Sequence, residues 1–146
     1  MPYMVTPPTD LTDEQYARLL RFRVGLRRFL RWSEQQAAQV GLTPSQYQLL
    51  LAIRGHPDSR GPSITQLADY LGTRHHSVVQ LIDRTEQLGL IARHRATTED
   101  RRIVRLSLTP TGQEKLAQLA TVHLTELSRL ALLVDALIDP TNPAHS

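Results

Sequence analysis

The sequence predicts a mainly α-helical fold carrying one small β-hairpin. Three observations point there. Polar capping residues recur three positions ahead of Gln, just before apolar residues at helical spacing. Apolar residues then follow a period of 3.6 over most of the chain. Between Leu90 and Leu108 that period drops to 2, on either side of a polar stretch.

The elements follow in order. Thr12 and Gln15 form a capping box, with Leu11 placed to staple onto Tyr16. Leu19, Phe22, Leu26, Phe29, Leu30, Ala37 and Val40 trace an apolar stripe, and Gly41 supplies the stop. Such a helix runs about 29 residues, roughly 43 Å at 1.5 Å per residue. Its stripe has to pack on other elements or on a second chain. Thr43, Pro44 and Gln46 open a second helix, with Leu42 able to staple onto Tyr47. Leu49, Leu50 and Ile53 form its buried face, and Gly55 closes it. "GHPDSRGP" is a loop. Ser63 and Gln66 open a short third helix with Ile64, Leu67, Ala68 and Leu71 inward, broken at Gly72.

A fourth helix starts near Thr73 or Arg74 and runs to Leu88. Its inward stripe is Val78, Leu81, Ile82, Thr85 and Leu88, and Gly89 ends it. Two short helices joined by a tight Gly-containing turn form a helix-turn-helix. Leu90–Arg95 and Ile103–Leu108 alternate as the arms of a hairpin, with "ATTEDRR" as its tip. Thr109 and Pro110 begin a last helix reaching Ile138, where Asp139-Pro140 stops it. Leu116, His123, Leu130 and Leu137 recur every seventh position, supported by Leu119, Leu127 and Val134. That seam suits packing against helices of a partner subunit. His123 lies on the seam and reads as a packed, hydrogen-bonded core imidazole. The first ten residues and "PTNPAHS" read as mobile ends.

At 146 residues the chain has the size of one domain. It contains no cysteine, so disulfides and thiolate metal sites are excluded, which suits a cytoplasmic protein. Neither a secretory signal nor a membrane-length apolar run is present. The net charge is +3, and the cations are Arg apart from Lys115. Arginine's planar fork suits phosphates and base edges, although a GC-rich coding bias would also enrich it. An enzyme is not predicted: the sequence lacks a Gly-rich phosphate loop, G-x-S-x-G, H-E-x-x-H and any Cys nucleophile, and no cofactor is implied.

A helix-turn-helix followed by a hairpin offers two probes to a DNA duplex. The second helix of the pair fits the major groove. Arg74, His75 and Ser77 stand at its N-terminal end. His76, Val79, Gln80, Asp83, Arg84 and Gln87 lie opposite its apolar stripe. Arg forks onto guanine, Gln pairs with adenine, and Ser and His bond bases or phosphates. Asp83 and Arg84 also suit a mutual ion pair. The hairpin tip carries Arg101 and Arg102, and its arms carry Arg93, Arg95 and Arg105. A narrow minor groove attracts such a tip. Asp100 would hold a neighbouring Arg in place. His75 and His76 make a poor metal site, since adjacent helical side chains diverge by about 100° and no third ligand follows at a useful spacing.

From Leu42 to Gly112 the sequence resembles the MarR family of winged helix-turn-helix transcription regulators. The resemblance rests on "LTPSQYQLLLAI", "ITQLADYLG", "SVVQLIDRTEQLGLIAR", the "DRR" of the hairpin and "LSLTPTG", in matching order and spacing. It implies a single domain over residues 1–146. Residues 42–109 would form the winged-helix DNA-binding lobe, and 11–41 and 110–139 the N- and C-terminal dimerisation helices. It further implies a homodimer on a palindromic double-stranded operator, usually repressing and released by a small effector. By position, the family's major-groove residues fall on Arg74, His76, Ser77 and Gln80, and its wing Asp and Arg on Asp100 and Arg102. Arg27, Trp32 and Tyr47 are the candidates to meet an aromatic or phenolic effector, and Trp32 and Tyr47 equally suit ordinary core positions. The sequence departs from the family pattern at the helix cap, where Arg74 replaces the usual Ser, and at Thr85, where Leu is usual. Its hairpin tip is about one residue longer.

Overall fold

The computed structural model describes residues 10–95 and 103–138, with the side chains of 133 and 136–138 excepted. The elements run α1 (Asp13–Gln39), α2 (Pro44–Gly55), α3 (Ile64–Leu71), α4 (His75–Gln87), β1 (Ile91–Arg95), β2 (Val104–Leu108) and α5 (Pro110–Ile138). The expected hairpin tip at 96–102 and both expected mobile ends, apart from Asp10, lie outside the described residues.

Local sequence sets the helix starts. Thr12, Thr43 and Ser63 each accept a hydrogen bond from the backbone N–H of the Gln three residues on, and that Gln side chain returns to the cap's own N–H. Each pair satisfies two N–H groups that a helix leaves without partners. The start of α4 differs. Arg74 is its N-cap and makes no side-chain cap bond. Thr109 caps α5 by accepting from Gly112 N–H at 3.1 Å. At the end of α1 the Lys115 ammonium donates to Val40 O at 2.8 Å, placing a cation on a helix C-terminus.

Residues 33–124 form one compact unit. Its core gathers Ala37, Leu42, Leu49, Leu50, Ile53, Leu67, Val78, Leu81, Ile82, Leu90, Ile91, Leu106, Leu116 and Leu119. Burying apolar area of this kind, at about 25 cal/mol per Å², stabilises the lobe that carries both probes. The expected Leu42–Tyr47 staple fits this core, since Leu42 is buried and Tyr47 packs against the same cluster. Thr85 is fully buried, and its hydroxyl donates to Leu81 O at 2.6 Å, so a polar residue sits in the core without an unmet donor. Leu88 corrects the sequence reading. It is 57% exposed because α4 ends at Gln87 and the chain turns at Gly89, whose φ is +75°.

The hairpin pairs antiparallel, from Ile91 opposite Leu108 to Arg95 opposite Val104. Residues 61–63 lie along its outer edge. Leu106 N–H donates to Pro62 O at 3.0 Å, and Ser63 bridges to Arg105. This contact requires glycine at 61, where φ is +90° and a Cβ would collide with the Leu106 carbonyl.

The second unit comprises α1 up to Trp32 and α5 from Thr125. Here Leu19 and Leu30 of the expected stripe are more than half exposed, as are Leu20 and Leu132 outside it, and the Leu11 and Tyr16 of the expected staple are exposed too. A groove of about 480 Å³ is lined by Leu20, Phe22, Val24, Leu26, Leu130 and Val134, and also by Arg21 and Arg28. Of the heptad seam, Leu116 and His123 are buried in the first unit, while Leu130 and Val134 line this groove. Leu127 is 45% exposed, and the Leu137 side chain is outside the described set. None of the described helices is long and apolar enough to cross a membrane.

Candidate nucleic-acid interface

Helix α4 is two-faced. Val78, Leu81, Ile82 and Thr85 are buried. Arg74, His75, His76, Ser77 and Gln80 are all exposed on the opposite side and around the N-terminus. Helical spacing forces this division: with one side fixed in the core by four buried positions, the residues at 76, 80, 83, 84 and 87 must look outward. Val79 is only half-exposed. The structure therefore brings together the five expected residues of the helix start as one exposed polar group. Arg84 is also exposed, one turn further along.

The expected Asp83–Arg84 pair is not formed. Asp83 instead pairs with Arg93, across from α4 to β1. The Arg93 Nε also lies 3.4 Å from Glu86 Oε1. Adjacent residues on a helix diverge, whereas Asp83 and Glu86, three apart, share a face that β1 lies against.

The hairpin arms are tied down as well. Arg105 Nη1 donates to Gly61 O at 2.9 Å, and His94 Nε2 donates to Arg60 O at 3.1 Å. Arg60 in turn forks onto Asp58, at 2.7 Å in the shortest contact. That hydrogen-bonded guanidinium holds the Asp58 carboxyl well below the usual carboxylate range. Sequence reasoning treated this loop as punctuation and missed its bonding; the D-x-R spacing of Asp58 and Arg60 in a Pro/Gly-rich turn was the available signal. Arg95 is exposed at the end of β1, pointing the arm's last cation to solvent. Asp100, Arg101 and Arg102 lie outside the described residues.

Each of the three expected effector residues is described within the unit that holds it. Arg27 is exposed on α1, and Trp32 is half-buried with its ring 5.8 Å from that of Phe29. Tyr47 belongs to the 33–124 unit, where it stacks on His123 at 4.7 Å, and burial pushes its phenol pKa up. His123 is 6% exposed and fully engaged, meeting Ser33 Oγ at 2.7 Å and Leu119 O at 2.8 Å. Among the described residues no group of three or more His, Asp or Glu is placed to hold a metal ion.

Residues 40–103, spanning α2 to the hairpin, match the family model described as MarR family. This segment is thus similar to the MarR family. The MarR match is supported by the HTH-type transcriptional repressor MdtR of Bacillus subtilis, 33% identical over 78 residues, which is 53% of this chain and 48% of that protein. The chain spans about half the length of the curated relatives it matches. Solved structures extend the likeness in fold over most of the chain. The Staphylococcus aureus MepR–DNA complex has a TM-score of 0.64 at 19% identity, covering 84% of each chain. RV1404 from Mycobacterium tuberculosis has a TM-score of 0.68 at 22% identity, covering 94% of this chain and 88% of that one. This is the winged-helix fold of MarR proteins: a hairpin wing beside a helix-turn-helix made of α3 and α4.

Proposed function

We propose that this chain is a sequence-specific, double-stranded DNA-binding transcription regulator, acting as a homodimeric repressor on a palindromic operator in the cytoplasm, and not an enzyme. One observation carries the reading. The first turns of α4 expose Arg74, His75, His76, Ser77 and Gln80 together, while the other side of the same helix is locked in the core. A rigidly mounted helix with outward Arg, Gln, Ser and His is suited to reading base edges in a major groove. The relatives agree in kind: MdtR is described as a transcriptional repressor, and MepR has been solved with DNA.

On this reading the Arg95, Arg101 and Arg102 cations enter a flanking minor groove, supported by Asp100, and Arg84 contacts the backbone. The outward apolar residues of the unit formed by α1 up to Trp32 and α5 from Thr125 favour a second copy, because a patch of this kind in water marks an association surface. Two recognition helices would then enter successive major grooves about 34–36 Å apart. A small aromatic or phenolic acid that binds one dimer spacing better would shift the population away from DNA, with Arg27, Trp32 and Tyr47 as the residues to test.

Competition binding at fixed salt is the test. A palindrome upstream of the chain's own gene should outcompete random duplex by a factor of about 10³ or more. Equal affinity for both would make the protein an architectural binder instead, and absence of binding to any duplex would overturn the reading.

A further inference from the structure

The sequence places five arginines on or beside the hairpin, all of them candidate DNA contacts. We infer that Arg93 is a positioning residue, which fixes the wing to the recognition helix through Asp83 and Glu86 and does not touch the duplex. The inference rests on the DNA-binding reading above and assigns a part within it.

The geometry supports the assignment at each atom. Arg93 sits mid-strand in β1, opposite Leu106 of β2. Its guanidinium meets Asp83 through Nη2, and its Nε lies 3.4 Å from Glu86 Oε1. That Nε is closed off from solvent, so a phosphate oxygen has no access to it. The Arg93 side chain is 31% exposed, against 51% for that of Asp83 and 40% for that of Glu86. The cation is thus the more covered member, with its carboxylates outside it. The guanidinium hydrogen-bonds Asp83 and holds Glu86 at ion-pair distance, while the buried Nε itself makes no hydrogen bond.

Two consequences follow. Mechanically, α4 and β1 carry the two probes, and Arg93 joins them side chain to side chain. The angle between recognition helix and wing is therefore set at this point as well as by the core. Electrostatically, Asp83 and Glu86 would otherwise present two carboxylates on the helix offered to a polyanion. Arg93 offsets one of these charges and turns both toward the wing root. A wing arginine whose charge is spent internally also leaves the count of phosphate-neutralising cations. Arg105, donating to Gly61 O, makes the matching tie on the other arm.

The test is a binding cycle on the full-length protein with an operator duplex obtained by selection. Arg93→Gln is measured in the wild type and in the Asp83→Asn/Glu86→Gln background. As a positioning residue, Arg93 loses its value once its partners are gone. The substitution should weaken binding about fivefold in the wild type, the upper range for a partly exposed pair. In the neutralised background it should change affinity by less than about twofold. Arg93→Lys, which keeps the charge and reaches one carboxylate, should recover part of the wild-type affinity. An equal loss in both backgrounds, accompanied by a fall of about one in the salt slope, would show a direct phosphate contact and overturn the inference. Failure of the wild type to bind any duplex would instead sink the DNA-binding reading itself, so the two failures are distinguishable.

Discussion

His123 Nε2 lies 2.7 Å from Ser33 Oγ, joining α5 to α1 inside the core of the 33–124 unit. The other ring nitrogen, Nδ1, is 2.8 Å from Leu119 O, which accepts only. In the neutral ring the proton therefore sits on Nδ1, and Nε2 accepts from the serine hydroxyl. His123→Ala leaves the serine hydroxyl without this partner and opens a gap beside Tyr47. Chemical denaturation should show a loss of about 2–4 kcal/mol, with Ser33→Ala costing less, about 1 kcal/mol. Equal stability of His123→Ala and wild type would refute the core role.

Gly61→Ala should destabilise the lobe by about 2 kcal/mol or more, since it imposes both a left-handed φ and a collision with the β2 backbone. Gly55→Ala is the internal control. A Cβ there meets open space, so it should be neutral or stabilising by up to about 1 kcal/mol. Thermal melts of both variants decide the matter, and a Gly61→Ala melt matching wild type would discount the loop–wing contact.

Asp58 gives a pH dependence of defined sign. Its carboxyl is held low in the folded chain by the Arg60 side-chain hydrogen bond, with the Arg60 backbone N–H adding to it. A depressed folded pKa contributes stability that is present above the unfolded value, about 3.9, and is lost as pH falls through the folded one. Asp58→Asn should therefore show a shallower loss of stability than wild type on acidification below about pH 4. Above about pH 5 the two curves should run parallel. Parallel curves at all pH values would remove Asp58 as a contributor.

Gln80 stands one turn into α4 with its side chain exposed. In a selection on randomised duplexes, Gln80→Ala should relax preference at one base position, by roughly 1–3 kcal/mol. A uniform loss across all sequences would count against a base contact.

Leu20 is 65% exposed and lines the apolar groove of the first and last helices. On the proposed homodimer reading, with this groove in the contact, Leu20→Glu should raise the dimer dissociation constant by roughly tenfold or more, because it would bury an unpaired carboxylate. Sedimentation velocity over a dilution series measures this directly. An unchanged distribution would refute this groove as a self-association surface.

The features legible in the sequence are those governed by neighbours in the chain. The three Thr/Ser–Gln caps need only positions i and i+3, and all three form as read. The hairpin arms and the outward residues of α4 follow from periodicity, and both appear where the period placed them. What sequence could not deliver is pairing across elements. Asp83 was adjacent to Arg84 in the chain but finds Arg93 in space. Arg105 looked like a free cation on an alternating strand, yet it closes on a loop carbonyl 44 positions away. Leu88 fitted the helical stripe, but a stripe carries no information about the turn at which its helix ends. For the candidate site, the outward placement of the α4 residues was readable because one side of the helix had to be core. The pairing of Arg93 and Arg105 was not, because arginine serves equally as a brace and as a probe.

Lys115, the chain's single lysine, donates its ammonium to the Val40 carbonyl just past the end of α1. Apart from the chain's own amino terminus, amine-directed reagents therefore have one place to react. Acylation there would proceed only when that amine lets go of Val40, so its rate clocks the fraying of α1 from within. A mass-resolved time course of mild acetylation, run with and without duplex, would turn this one side chain into a built-in reporter of whether an operator stiffens the joint between α1 and α2.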